Sequence, residues 1–166
     1  MKPPVRLLWI AVCPGRGAKD LANAWSKGPK CDYGLTVVNL NDCIKGRVYS
    51  FTEEDRQSLN ELVRKAESRC TICSDLFINH ASFYPRLPPD YSQLVPKYTQ
   101  AAQDAGARVH DGKDKVGKIK LKDTMHFSAD STAEIVDMYI SSVRKWWGCR
   151  VLQRCSTPQM YGRPRR

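Results

Sequence analysis

Asp123 and His126 stand three residues apart in Lys122-Asp123-Thr124-Met125-His126-Phe127-Ser128, just ahead of the last predicted helix. A carboxylate at that spacing, on a turn that opens a helix, can hold an imidazole ring in one tautomer. It also supports the ring's positive charge when the ring takes a proton from a nucleophile. The chemistry this predicts is base-assisted nucleophilic attack, as in a hydrolase or a relic of one. No obvious nucleophile accompanies the pair. Read without other features, Asp123 caps the following turn or pairs with nearby lysines, and His126 is a surface histidine.

The elements that must position this pair alternate between strand and helix. Residues 5–12 form a continuous apolar run, the pattern of a strand covered on both faces. The turn Pro14-Gly15-Arg16-Gly17 follows, then a short helix over 18–26 stopped by Gly28-Pro29. Residues 35–38 are predicted as a second buried strand. Thr52 is a good N-cap, with Glu53, Glu54 and Asp55 at the positive end of a helix whose apolar face is Leu59, Leu62, Val63 and Ala66. A third strand is expected at 71–78, a Pro-rich loop at 80–90, and a helix at 93–105 with Pro96 in its first turn. Gly106 closes that helix, and 107–110 is a short fourth strand. Ser131-Thr132-Ala133-Glu134 reads as a capping box for a last helix buried through Ile135, Val136, Tyr139, Ile140, Val143 and Trp147. This alternation predicts an α/β fold: a three-layer α/β/α sandwich with a mostly parallel, flavodoxin-like sheet of about four strands. In such sheets a site gathers at the carboxyl ends of the strands. Residues 14–17, 39–42 and 80–84 all leave strand ends, and the Asp123–His126 turn can close over the same edge.

Three stretches then resemble blocks of the SGNH, or GDSL, hydrolases. Asp32-Tyr33-Gly34-Leu35-Thr36-Val37-Val38-Asn39-Leu40-Asn41-Asp42 resembles the family's strand ending in Gly-x-Asn-Asp, with Asn39 where glycine is usual. Asp123-x-x-His126 is similar to the block that supplies the acid and base of the triad. Cys13-Pro14-Gly15-Arg16-Gly17-Ala18-Lys19-Asp20-Leu21 resembles the block whose turn glycine donates a backbone N–H to the oxyanion. The resemblance covers most of residues 5–147. It implies ester hydrolysis by acyl transfer, with His126 as base, Asp123 as its orienting acid, and Asn41 with Gly17 or Gly15 as oxyanion donors. It implies no cofactor and no metal. The family's Gly-Asp-Ser nucleophile block is absent. If residues 5–17 correspond to the second block, the first strand–helix unit is missing, and the chain is a fragment or a domain that has lost its nucleophile. A rival register makes residues 5–12 the first strand and puts Cys13 at the nucleophile position, but Cys13 to Asn41 is shorter than the family's usual first-to-third-block distance.

Composition sets the remaining bounds. The chain has 166 residues, 42% hydrophobic and 27% charged, which suits one soluble domain with a real core. We expect that domain over 1–147, followed by a basic, flexible tail over 148–166. Net charge is +10, much of it in the lysines at 113, 115, 118, 120 and 122 and in the arginine-rich end. Such clusters attract phosphates or an anionic surface. The resemblance implies a small ester as partner, and in a non-catalytic alternative the basic clusters suit nucleic acid or another anionic partner. Seven cysteines at irregular spacing argue against a secreted disulfide framework, and Cys70-Thr71-Ile72-Cys73 reads as ordinary strand cysteines. Reduced thiols and the absence of a transmembrane pattern point to an intracellular, cytoplasmic protein. His80 is read as a solvated loop histidine, and His110 and Asp111 are assigned no role.

Overall fold

The computed structural model describes residues 16–45 and 48–147, with side chains for 16–45, 48–71 and 73–141. The order of elements is α1 (Ala18–Lys27), β1 (Cys31–Val38), a short ribbon of β2 (Ile44–Lys45) and β3 (Val48–Tyr49), α2 (Glu53–Arg69), β4 (Cys70–Ile78), α3 (Pro89–Asp104), β5 (Arg108–His110) and α4 (Ala129–Trp147). Among the described residues, β4 lies between β1 and β5, and both pairings are parallel. The strand expected at 5–12 lies outside the described residues, as does the tail at 148–166.

Alternation along the strands assigns each face its cover. Gly34, Thr36 and Val38 of β1 and Ser74, Leu76 and Ile78 of β4 are buried on one face. Trp25 of α1 reaches that face and donates its indole N–H to Thr36 Oγ1 at 2.8 Å. α2 packs closely on α1 and contributes Leu59, Leu62, Val63 and Ala66, while α3 contributes Leu94, Val95, Tyr98, Ala101 and Ala102. The opposite face carries Asp75 and Phe77, and Phe77 packs edge-on against Tyr139 of α4 with ring centroids 4.3 Å apart. Helices thus flank a mostly parallel sheet, and the architecture is the flavodoxin-like α/β/α sandwich that the alternation predicts.

Element boundaries depart from expectation in informative places. α3 begins at Pro89 rather than near 93, because proline suits the first helical position, whose N–H has no intrahelical partner. Pro96 consequently sits inside the helix, not in its first turn. It faces solvent, where water can satisfy the Ser92 carbonyl left without its donor. α4 begins at Ala129, so Ser131 is not its cap. Ser128 takes that place, its Oγ accepting from Ser131 N–H at 3.3 Å and its carbonyl from Thr132 N–H at 2.9 Å. Ser131 is buried instead, and its hydroxyl accepts from Lys120 N–H at 2.7 Å. Among the described side chains the inward stripe of α4 is Ile135, Met138 and Tyr139, and Val136 is 46% exposed; Val143 and Trp147 lie outside them. β1 starts at Cys31 and is longer than the apolar run alone suggests, because it pairs with β4 along its length.

The α2 cap is as expected and stronger. Thr52 Oγ1 accepts from Asp55 N–H, and Asp55 Oδ2 accepts from Thr52 N–H at 2.8 Å. The other carboxylate oxygen meets Lys45 Nζ of the ribbon at 2.7 Å. Burial alone would raise the Asp55 carboxyl, but Lys45 and the Thr52 donors outweigh it and hold it below the usual value. A group depressed in the folded state contributes stability above its unfolded pKa of about 4 and loses it as pH falls through the lower folded value. Asp55→Ala is expected to cost about 1–3 kcal/mol at neutral pH in urea unfolding. The deficit should shrink as the pH is taken below about 4. A deficit that is constant across that range would separate it from the carboxylate's charge.

Candidate functional site

The Asp123–His126 pair sits at the tip of a narrow hairpin. Leu121 and Phe127 form an antiparallel bridge, Lys122 N–H donates to the His126 carbonyl at 2.7 Å, and Ser128 N–H donates to the Lys120 carbonyl at 3.0 Å. Asp123 closes the turn with its own side chain. Oδ1 accepts from the Met125 and His126 N–H groups, both at 2.8 Å, and Oδ2 lies 2.8 Å from His126 Nδ1. An ionised carboxylate only accepts, so Nδ1 carries the proton and Nε2 is left with its lone pair. The Met125 N–H, then the His126 N–H, then the ring hold the Asp123 carboxyl well below the ordinary range. The imidazole is 79% exposed. The turn-capping role and the pairing role of Asp123 are therefore one arrangement.

A second cluster forms where α1 meets the end of β1. Gly17 is the N-cap residue of α1 and has no side chain to offer; the Asp42 carboxylate replaces it from across the chain, Oδ2 accepting from Ala18 N–H at 2.7 Å. The approach is close enough that a Cβ on Gly17 would fall 1.6 Å from Asp42 Oδ1. Tyr98, fully buried on α3, donates its hydroxyl to the same Asp42 oxygen at 3.2 Å. Burial first, and then the Asp42 charge, push the Tyr98 phenol well above its usual value. Next to Asp42, Asn41 donates its amide to the Arg16 carbonyl at 3.2 Å, and its own N–H is held by Asn39 Oδ1 at 3.1 Å. Gly17, Asn41 and Asp42 are thus brought together. Gly15 and Cys13 lie outside the described residues.

The Asn41–Asp42 cluster follows the carboxyl end of β1, and the hairpin meets aromatic residues that follow the carboxyl end of β4. Phe127 stacks on Tyr84 with centroids 6.1 Å apart and meets Phe83 edge-on at 6.2 Å. The Tyr84 hydroxyl accepts from Asn79 Nδ2 at 3.0 Å. Tyr84 also helps to line a cavity of about 10 Å³ with Val38, Asn39, Leu40, Ile78 and Asn79. That volume suits one water molecule. Among the described residues, no hydrogen bond runs directly from Asp123 or His126 to Gly17 or Asn41. His80 is half-buried, and its Nδ1 accepts from Ser82 N–H at 3.2 Å.

Sequence reasoning missed a polar centre on the α4-facing side of the sheet. Asp75, with no exposed surface, accepts from the Tyr33 hydroxyl at 2.6 Å and Arg108 Nε at 2.7 Å, and its Oδ2 lies 3.2 Å from His110 Nε2. The available signal was an aspartate in the middle of an apolar strand, a placement that demands partners. Among the described residues, no group of three His, Cys, Asp or Glu side chains is arranged to hold a metal ion, and no helix is long and apolar enough to cross a membrane. No family model, curated protein or solved structure matches the chain.

The Gly17–Asp42 contact is directly testable. Gly17→Ala must displace the Asp42 carboxylate from Ala18, and Asp42→Ala removes the cap. Each is expected to lower stability by about 1–2 kcal/mol in urea unfolding. The double variant should cost clearly less than the two together, because the clash and the cap vanish at once. Strict additivity would show that the contact does not couple the two segments.

Proposed function

We propose that the chain is a hydrolase-like domain in which Asp123–His126 supplies the acid–base pair, and Asn41 and Gly17 the oxyanion donors, of an acyl-transfer site for a small ester. The observation that carries this reading is the pinned ring. Asp123 fixes the protonated Nδ1, so Nε2 is the nitrogen available to accept a nucleophile's proton. In the reaction His126 takes that proton as the nucleophile adds to the ester carbonyl, then returns it to the leaving alcohol. Asp123 keeps the tautomer and stabilises the imidazolium. The Asn41 amide has a second N–H beyond the one given to Arg16, and that N–H and a turn amide at Gly17 or Gly15 are suited to the developing oxyanion. The similarity of residues 13–21, 32–42 and 123–126 to the SGNH blocks supports the same assignment. The nucleophile comes from outside these residues, with Cys13 the candidate in this chain; without a nucleophile the domain is a catalytically silent relative.

Hydrolysis of p-nitrophenyl acetate and butyrate tests the proposal. His126→Ala is expected to lower kcat by about 10²–10⁴-fold and Asn41→Ala by about 10²–10³-fold. Cys13→Ala should abolish turnover only if that thiol is the nucleophile. Equal rates in wild type and His126→Ala would remove the pair from the chemistry.

A separate observation supports a binding reading. Lys118, Lys120 and Lys122 are exposed while the intervening Ile119 and Leu121 pack against the core, which sets three cations in a row on the solvent side. Lys115 is partly engaged by Glu134 at 3.4 Å and stands apart from the row. Such a row suits the phosphates of a nucleic-acid strand. Replacing Lys120 and Lys122 with Gln should lower the log–log salt slope of single-stranded RNA binding by about 0.7 per lysine. An unchanged slope would exclude this face.

A further inference from the structure

The two cysteines that look paired in the sequence, Cys70 and Cys73, are separated by the strand that holds them. β4 carries an extra residue between them, and the contacts of each sulfur show which face it takes. Cys70 Sγ lies on the Gly34 face, only 2.7 Å from where a Cβ on Gly34 would stand, and Cys73 Sγ lies on the other, 2.9 Å from an Arg108 guanidinium nitrogen. The partner of Cys70 is instead Cys31. These residues face each other across the β1–β4 pairing at the amino ends of the two strands, and their Sγ atoms are 3.4 Å apart.

That placement meets the geometric demand of a disulfide. Neighbouring strands run about 4.8 Å apart, inside the Cα separation of about 4.4–6.8 Å that the bond requires. Closing the sulfurs to about 2.05 Å takes a further movement of roughly 1.4 Å, shared by two side chains. The ladder is irregular here: three steps of β4, from Cys70 to Cys73, oppose two of β1, from Cys31 to Tyr33, so Cys70 is not held in regular pairing on both sides. Both thiols are half-buried rather than sealed, and a hollow of about 320 Å³ bounded by Glu67, Cys70, Cys73, Ser74, Gly106 and Arg108 opens beside Cys70.

We propose that Cys31 and Cys70 are a modification site, forming a reversible cross-strand disulfide by exchange with a small disulfide of the glutathione class. The Cys31 thiol gives its proton to solvent and its sulfur attacks one sulfur of glutathione disulfide; the glutathione S–S bond breaks, a mixed disulfide forms at Cys31 and one glutathione thiolate leaves. Cys70 then gives its proton to solvent and attacks the Cys31 sulfur. The Cys31–Cys70 bond forms, the second glutathione leaves as a thiolate, and each departing thiolate is protonated by solvent. Two protein thiols are oxidised and one glutathione disulfide is reduced to two thiols. The order follows from burial, which together with the Cys31 contact pushes the Cys70 thiol up and keeps it protonated until its partner is activated. The bond links positions 39 apart in sequence and clamps the start of β1 to the start of β4 around α2.

The full chain, with all seven cysteines, is incubated with oxidised glutathione under native conditions, alkylated, digested and mapped by mass spectrometry. The expected product joins the Cys31 and Cys70 peptides, lighter by two hydrogens. It appears in wild type and in Cys73→Ser, is absent from Cys31→Ser and Cys70→Ser, and is reversed by dithiothreitol. Cross-linking should raise the thermal midpoint of wild type by about 5–10 °C, a shift that the two single variants lack. A Cys70–Cys73 linkage, glutathione retained on Cys31 without a cross-link, or an equal yield of the Cys31–Cys70 link in concentrated urea would each overturn the proposal. The native-against-urea comparison uses wild type alone, so it decides the matter even if a serine variant folds poorly.

Discussion

One carboxylate organises the carboxyl edge of this sheet. Asp42 leaves β1 and reaches back to the first amide of α1, capping a helix that begins with glycine and has no cap of its own. The same oxygen receives the hydroxyl of Tyr98 from α3. Three elements far apart in sequence thereby meet on one side chain. The helix end favours a negative charge, and the two donors satisfy much of its hydrogen-bonding capacity. The glycine at position 17 is a consequence of this constraint rather than of backbone freedom: its φ of −101° is open to any residue, and what excludes a side chain is the carboxylate already there.

The centre of the sheet follows a similar logic with a different cost. Asp75 is fully buried in the middle strand, where an unpaired charge would be costly to keep. Tyr33 from β1 and Arg108 from β5 both donate to it, and His110 lies alongside, so the charge bridges the two neighbouring strands and reinforces the order β1-β4-β5. The Tyr33 phenol is pushed up by burial first and by the Asp75 contact second, which fixes it as the donor in that bond. Replacing such a network by apolar residues is often energetically neutral, whereas removing one member strands the others. Its contribution is therefore to register and strand order more than to net stability.

These two carboxylates show what could be read from the chain and what could not. Periodicity placed α1, α2, β4 and β5 well, because each buries one stripe or one run against a neighbour, and the Thr52 cap was legible because both halves of its motif lie within one turn. The Asp123–His126 contact was legible for the same reason: all its donors and acceptors sit within four residues. Ser131 misled because its spacing to Glu134 matches a capping box, while the hydroxyl is in fact used by the Lys120 amide on another segment. Val136 misled because a helix stripe is fixed by the surface it meets, and Met138 filled that surface instead. Asn41 and Gly17 were singled out by resemblance, yet the physical agent joining their segments, Asp42, and its partner Tyr98 are visible only once 24- and 56-residue separations are closed.

The same difference in range separates the two halves of the proposed site. His126 and Asp123 are held by bonds spanning two and three residues, so their geometry is set by a turn and needs little of the surrounding fold. The donor corner exists only while α1, the end of β1 and α3 are docked together, and its loop-closure entropy is compensated by the whole core. Partial loosening of the domain would thus scatter the proposed oxyanion donors while leaving the Asp123–His126 contact at the hairpin tip intact. A ring that is largely in water is screened, and an acid–base pair gains catalytic strength when a ligand or a further segment excludes solvent around it. The stacked contact of Phe127 on Tyr84 ties the hairpin to the loop that borders Asn79, beside the small cavity at the end of β1.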